Sequence, residues 1–317
     1  MGDKSVKALA NTALATALSV IIAIIGLFVP VLALASLLWP VPVIVVVKRY
    51  GLRYGIYSTI ASGLIVGMVS EPIYAAYVIL SYGALGLSIG YGVQKGYTAG
   101  KTLVITSIVS LISKLLLMYA VTRLMGVNPL EAQIESMGKG LELSMEFYDR
   151  MGVSVPEEMK EALMSSFELM KVMLPALLIM VALMDSYLNY TVARIVLKRL
   201  DLQLEPLPPF AEWRAPVHLA IGFLLLMLLS FAGGYLGLAN MDIVLGNILL
   251  LFQMVFLVQG LSVAYYFLSR RGVSKLFRVL LIIFILFNQA LAMAAMLAGV
   301  LDVVLDFRKR FSRDGGN

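Results

Sequence analysis

Apolar runs of about 17 to 25 residues recur along the whole chain, each long enough to cross a ~30 Å hydrocarbon layer as a helix. Within a bilayer every backbone polar group must be satisfied inside its own segment, so the runs are expected to be helical. Composition agrees, because 61% of residues are apolar and 14% charged, against ~45 to 50% and ~25% in soluble domains. The chain reads as an all-α polytopic membrane protein of about nine (eight to nine) transmembrane helices, with the lipid bilayer as its first partner. Its net charge of +6 is then a topology signal, since Lys and Arg collect on cytoplasmic loops. It does not point to nucleic acid. Cysteine is absent and His218 is the only histidine, which excludes disulfides, thiolate sites and His-rich metal clusters. No metal or cofactor is expected.

The basic residues give the chain a direction. Lys4, Lys7, Lys48, Arg49, Arg53, Lys95, Lys101, Arg194, Lys198 and Arg199 flank alternate ends of the first six apolar segments, placing the N-terminus in the cytoplasm of a bacterial inner membrane. Those segments lie at about 8–28, 31–47, 54–70, 73–93, 102–125 and 172–200. Ala33-Leu34-Ala35 imitates a signal-peptidase site, but the run before it is too long for a signal peptide and more spans follow. Pro30 marks the turn into the second segment, where Pro40 and Pro42 predict a kinked or partly irregular helix. Gly63 and Gly67 have the GxxxG spacing of close helix packing. Residues 1–200 read as a six-helix module, 201–216 as a proline-rich cytoplasmic loop and 217–317 as a three-helix extension. Four prolines in the 11 residues from Pro206 to Pro216 favour an extended chain over a helix.

The extension spans about 217–237, 243–268 and 279–301, with Arg270, Arg271, Lys275 and Arg278 as an inner basic cluster. Nine crossings put Arg308, Lys309, Arg310 and Arg313 outside, against the charge rule. Either the last segment is re-entrant around Asn288 and Gln289, or the tail is an exception. Asp302, Asp306 and Arg310, four residues apart, read as an exposed charge ladder. Gln253 and Gln259 read as interhelical hydrogen-bond partners.

Residues 129–171 break the apolar pattern with nine acids against four bases, a net charge of −5. Leu130, Ile134, Met137, Leu141, Met145 and Tyr148 recur at steps of three and four, as do Met159, Leu163, Phe167 and Met170. This predicts an extracytoplasmic amphipathic helical hairpin turning at Gly152 to Pro156. It could serve as a lid over an outward-facing pocket, as a partner-docking surface or as a passive interfacial element.

Two charges lie deep inside apolar segments, where such groups are costly and usually face a partner or a cavity. Counted from the expected inner ends at ~1.5 Å per residue, Lys114 lies ~18 Å deep and Asp185 ~13 Å, a gap their side chains can close. They pair structurally, or one or both line a polar cavity for a substrate or proton. Asn189 lies one turn from Asp185 on the same face, and Ser110, Ser113 and Tyr119 are candidates to extend the site. Glu71, Tyr74 and Tyr77, at the outer end of the glycine-rich fourth segment, complete the candidate ligand contacts. A single central Asp is not the pair an aspartyl mechanism needs, so no catalytic residue is assigned. Gly96 to Thr102 has one residue too few between its glycines for a phosphate-binding loop and bridges two membrane segments. Ala10, Ala13 and Ala17 form a small-residue stripe on the first helix, for packing inside the bundle or docking a separate membrane partner.

Asn189-Tyr190 through Arg194, Leu207-Pro208-Pro209-Phe210-Ala211-Glu212-Trp213-Arg214-Ala215-Pro216, Gln259-Gly260-Leu261-Ser262-Val263, and Gly299-Val300-Leu301-Asp302 to Asp306-Phe307-Arg308-Lys309 resemble the signature blocks of the bacterial YybS-like membrane family. The resemblance covers essentially the whole chain and implies no particular chemistry. The first six segments are also similar to the S components of energy-coupling-factor transporters. That likeness implies a cytoplasmic N-terminus, an Ala-rich first helix that docks a coupling subunit, and an outward-facing ligand pocket. The acidic insert and the three added helices depart from that plan, and no vitamin-binding motif is matched. The expected function is a binding or transport subunit that captures a small molecule or lipid headgroup from outside, without an ATPase of its own. The alternative is a non-transporting scaffold that recruits envelope or signalling proteins.

Overall fold

A computed structural model describes residues 2–29, 36–152 and 156–309. Pro30, the Ala33 to Ala35 motif, Val153 to Val155, Arg310 and Arg313 lie outside the described residues. Every regular element among the described residues is helical. Among the described residues seven helices are long and apolar enough to cross a membrane, or eight if one bent pair counts as a single span. The chain divides into two compact units, residues 1–168 with 178–207 and residues 169–177 with 208–317.

In the first unit, α1 (Gly2–Phe28) turns a small and hydroxylated face inward: Ala8, Thr12, Thr16, Ser19 and Ala23 are buried. Thr12 donates to the Ala8 carbonyl, and Thr16 bonds the Thr12 carbonyl and Ser58. Such side chains let α1 approach α3 (Leu52–Val69), which answers with buried Gly55, Ser58, Thr59 and Ser62. Ala10, Ala13 and Ala17 are exposed on the opposite side, so the small-residue stripe does not pack against the described residues.

Between them α2 (Pro40–Tyr50) is shorter than the expected segment, and at 11 residues it is only ~16 Å long. Pro40 and Pro42 open it, where a missing N–H costs no helical bond, so they start the helix instead of kinking it. Seven of its residues are buried, making it the centre of the unit. Gly51, at φ 98°, makes the sharp turn into α3.

The fourth segment is not one regular helix. It runs as α4 (Pro72–Tyr77), a π-helical stretch Val78–Gly83 and α5 (Ala84–Gln94). Glycines on both sides allow close approach: a Cβ on Gly90 of α5 would lie 2.7 Å from Val47 of α2, and one on Gly63 of α3 would lie 2.3 Å from Ile79. Next, α6 (Ala99–Met125) buries Thr102, Thr106, Ser110 and Ser113 along one face. Its N-terminus is capped by Thr98, and Glu205 accepts from the Ala99 amide at 2.9 Å.

The acidic insert forms α7 (Pro129–Arg150) and α8 (Glu157–Val172). Asn128 caps α7 through the Leu130 amide. Only Ile134 is buried in the two helices among the residues whose side chains are described, while Met137, Leu143, Phe147, Tyr148, Met151 and Met159 are exposed. α9 (Leu174–Lys198) closes the unit through a core of Val41, Ile44, Ile89, Tyr190, Ala193 and Leu197, and the Tyr190 hydroxyl donates to the Glu205 carbonyl at 2.8 Å.

The second unit contains α10 (Val217–Tyr235), α11 (Met241–Arg270), α12 (Lys275–Phe287) and α13 (Gln289–Leu305). Asn247 of α11 holds residues 172–176, donating to the Val172 carbonyl and accepting from the Ala176 amide, each at 2.9 Å. α11 and α13 touch backbone to backbone: a Cβ on Gly260 would sit 1.7 Å from the Ala295 carbonyl oxygen, and one on Gly299 2.1 Å from that of Phe256.

The expected ninth span is a broken one, α12 and α13 meeting at Asn288 with a 106° bend. Asn288 ends α12 with extended backbone and caps α13 by accepting from the Leu291 amide. Both outer ends of the pair return to the same turn of α11. At the start of α12, Arg278 lies 4.6 Å from the Tyr265 ring, and beyond α13 Arg308 lies 5.9 Å from the Tyr266 ring. A pair bent in this way is a broken span or a re-entrant loop.

Candidate functional site

α6 and α9 bring the two deep charges together. Lys114 Nζ lies 2.6 Å from Asp185 Oδ2, and both side chains are partly covered, at 17% and 33% exposure. From the basic or capped ends of their helices they lie 15 and 13 residues in, equivalent depths of ~22 and ~20 Å. Lys114 also donates to Ser110 at 2.7 Å, one turn earlier on the hydroxylated face of α6. Asn189 donates its amide to the Asp185 carbonyl at 2.8 Å. Its Oδ1 has no protein partner although the residue is 2% exposed.

This constellation lines a cavity of about 580 Å³ with mostly aliphatic walls from Leu85, Leu117, Val121 and Leu188. Pro129 and Leu130, the first residues of α7, also line it, so the acidic insert begins at the site. A second cavity of about 320 Å³ is lined by Trp39, Tyr74, Tyr77 and Tyr82. Ser36, Tyr77 and Tyr82 belong to both linings. The aromatic wall is ordered by edge contacts, with Tyr77 and Tyr82 centroids 5.4 Å apart at 90° and Trp39 and Tyr82 5.8 Å apart. The Trp39 indole N–H is fully buried without a protein partner.

Of the residues singled out from sequence, Tyr77, Lys114, Asp185 and Asn189 line the larger cavity, and Tyr74 the smaller. Glu71 does not join them; it is exposed at the start of α4 and lines neither. Ser110 contributes through Lys114, whereas Ser113 is buried outside the linings and Tyr119 is 61% exposed, beside Arg123. Sequence reasoning missed Trp39, Ser81 and Tyr82. Trp39 precedes two helix-opening prolines, and Ser81 and Tyr82 sit in a π-helical stretch, so a 3.6-residue period does not reveal which way they face.

A second polar cluster was misread. Asp302 and Asp306 do not form an exposed ladder: Asp302 is 4% exposed and paired with Arg308 at 2.9 Å. Asp306 adopts a left-handed conformation that ends α13, so the chain turns back and carries Arg308 onto Asp302. Arg308 is 2% exposed, and all five of its N–H groups find acceptors: Asp302 twice, Ser262, and the Ala211 and Trp213 carbonyls. Gln259 joins by donating to Asp302 and accepting from the Ala215 amide, so it is an interhelical partner as its position suggested; Gln253 is exposed. The proline-rich loop is thereby fastened to α11 and α13, with a short 3₁₀ turn at Phe210–Glu212 where an extended chain was expected. Asp306 bonds Arg214 and Lys309. Its slight burial pushes the carboxyl up, but the Lys309 hydrogen bond and the Arg214 charge outweigh this and hold it below its usual value.

Loop, α11 and α13 meet through the same segments that carry the resemblance noted from sequence. The family described as "Predicted membrane protein (DUF2232)" matches residues 17–303. The chain belongs to that family. It is 23% identical over 318 residues to the "Uncharacterized protein YybS" of Bacillus subtilis (strain 168), covering 97% of this chain and 99% of that one. No solved structure matches. The chain is thus a YybS-like polytopic membrane protein, and the blocks around Gln259, Gly299 and Arg308 build its second unit instead of the cavity.

Proposed function

We propose that the first unit is a membrane-embedded binding or transport subunit that captures a small molecule or lipid headgroup from the outer face, without its own ATPase. One observation carries this reading: the Lys114–Asp185 pair lies deep in the bundle on the wall of a 580 Å³ cavity, the size range of small-ligand sites. A pair needed only for packing has no reason to face open space. The exposed Ala10, Ala13 and Ala17 face of α1 supplies a surface for a partner subunit in the same bilayer. With one carboxylate in the cavity and no histidine, a binder is favoured over a catalyst. Screening purified protein by thermal shift against vitamins, nucleosides and lipid headgroups tests the reading. Stabilisation by one class, abolished by Asp185→Asn, supports it, and a flat response across all three overturns it.

A second reading rests on a different observation. α7 and α8 carry a net charge of −5 across residues 129–171 and leave Met137, Leu143, Phe147, Tyr148 and Met159 exposed, as a recruiting surface for envelope or signalling proteins would. Crosslinking followed by purification separates the two. ATPase and coupling subunits favour transport, whereas cell-wall or signalling partners favour the scaffold.

A further inference from the structure

Resting on the binding reading above, we infer that the two adjoining cavities form one chamber for a net-uncharged amphiphile. Its flat apolar body lies against Trp39 and Tyr82, and an N–H or O–H donor of the ligand bonds Asn189 Oδ1. Three observations converge on this class.

The first is charge balance. Among the described residues, Lys114 and Asp185 are the only charged ones in either lining, and at 2.6 Å they neutralise each other. A ligand with net charge gains a counterion only by opening that bridge, which leaves the displaced partner uncompensated in an apolar setting. A neutral molecule leaves the bridge closed. The second is Asn189. Its amide nitrogen is committed to the Asp185 carbonyl, which fixes which end is free, and the free end is an acceptor, buried and without a protein partner. Buried polar atoms are almost always satisfied, so a cavity-lining exception points to a donor on the occupant. The third is the aromatic wall. The tilt of Trp39 and Tyr82 and the edge-on contact of Tyr77 with Tyr82 suit a flat ring system, since rings favour offset and edge contacts. The buried Trp39 N–H is a further polar handle on that side.

The test uses the full chain in phosphatidylcholine nanodiscs, with empty discs as background, and follows the fluorescence of aminoanthracene, an arylamine that is uncharged at neutral pH and carries an N–H donor. Anthracene, anthracene carboxylate and (aminomethyl)anthracene remove the donor, add a negative charge or add a positive one. Saturable binding of aminoanthracene is expected, with each of the other three weaker by about tenfold or more, the scale of one hydrogen bond or charge mismatch at a buried site. Asn189→Leu should weaken aminoanthracene by about tenfold and leave anthracene unchanged. Asn189→Ala, monitored with its Tm, serves if the leucine variant does not fold. Two results overturn the inference, and they differ. If a charged probe binds as tightly as the neutral one, and the cavity-filling Leu117→Phe abolishes both, binding stands and the ligand class is wrong. If no probe binds saturably, the binding reading fails with it.

Discussion

Single residues decide the two polar centres, and they do so differently. Lys114 and Asp185 are each partly accessible and leave Asn189 Oδ1 unused, whereas Arg308 spends every N–H on the protein. The first centre keeps an unused acceptor in Asn189; in the second the Arg308 guanidinium is fully satisfied, while Asp302 Oδ1 beside it has no protein partner. Lys114→Asp or Asp185→Lys alone should each destabilise the protein by about 3 kcal/mol, the low end for breaking a covered ion pair, because Asp185 is a third exposed. The double reversal should recover at least half of the lost Tm in detergent, and single variants as stable as the parent would show that the pair holds nothing together. Asp306 allows a pH test. Its carboxyl is held below its usual value by Lys309 and Arg214, so its contribution is present at neutral pH and is lost as pH falls through the depressed value. A Tm profile should therefore drop on the acid side below about pH 4, and Asp306→Asn should reduce that drop. An unchanged profile in Asp306→Asn would remove this residue from the acid response.

At the scale of elements, glycine divides the helices into those that must touch and those that need not. On α11, Gly260 meets the Ala295 carbonyl where a Cβ cannot fit, while Gly246 has nothing within 4 Å. Gly260→Ala should cost about 3 kcal/mol or more, the upper range for overpacking, because rigid backbone is the obstacle. Gly246→Ala should be neutral or stabilise by up to about 1 kcal/mol through helix propensity. Equal effects on thermal unfolding would contradict the packing described for α11 and α13. Much of this level was legible beforehand. Apolar runs and basic flanks located α1, α3, α6, α9, α10 and α11, and two charges marooned in apolar sequence identified their own partnership. The misses share a cause, which is backbone that departs from a continuous α-helix. Pro40 and Pro42 start a helix instead of kinking one, Val78–Gly83 winds as a π-helix, Asn288 breaks a helix within an apolar run, and Asp306 ends α13 in a left-handed turn. Periodicity records which faces are apolar, but not where the ladder of hydrogen bonds is interrupted. Arg308 was illegible for that reason, since its partner lies six residues back across a left-handed turn.

For the molecule as a whole, the bend at Asn288 bears on topology. A straight ninth helix would carry Arg308 and Lys309 away from Arg270, Arg271 and Lys275, splitting the basic residues of the second unit between two sides. The bent pair instead returns Arg308 to the α11 turn that Arg270 and Arg278 also touch, the grouping expected where basic residues collect on one side of a membrane. At the 106° turn Asn288 caps α13 by accepting from the Leu291 amide, and the residues around it, Leu286 to Ala290, are exposed. Absence of cysteine makes this directly measurable, because every introduced thiol reports alone. In sealed vesicles of known orientation, Arg271→Cys and Lys309→Cys should react with a membrane-impermeant maleimide from the same side, and Asn240→Cys, in the turn between α10 and α11, from the other. Labelling of Lys309→Cys together with Asn240→Cys would make α12 and α13 a complete crossing. It would also require Arg308 to leave Asp302, which the stability of Arg308→Met in the same vesicles would register independently.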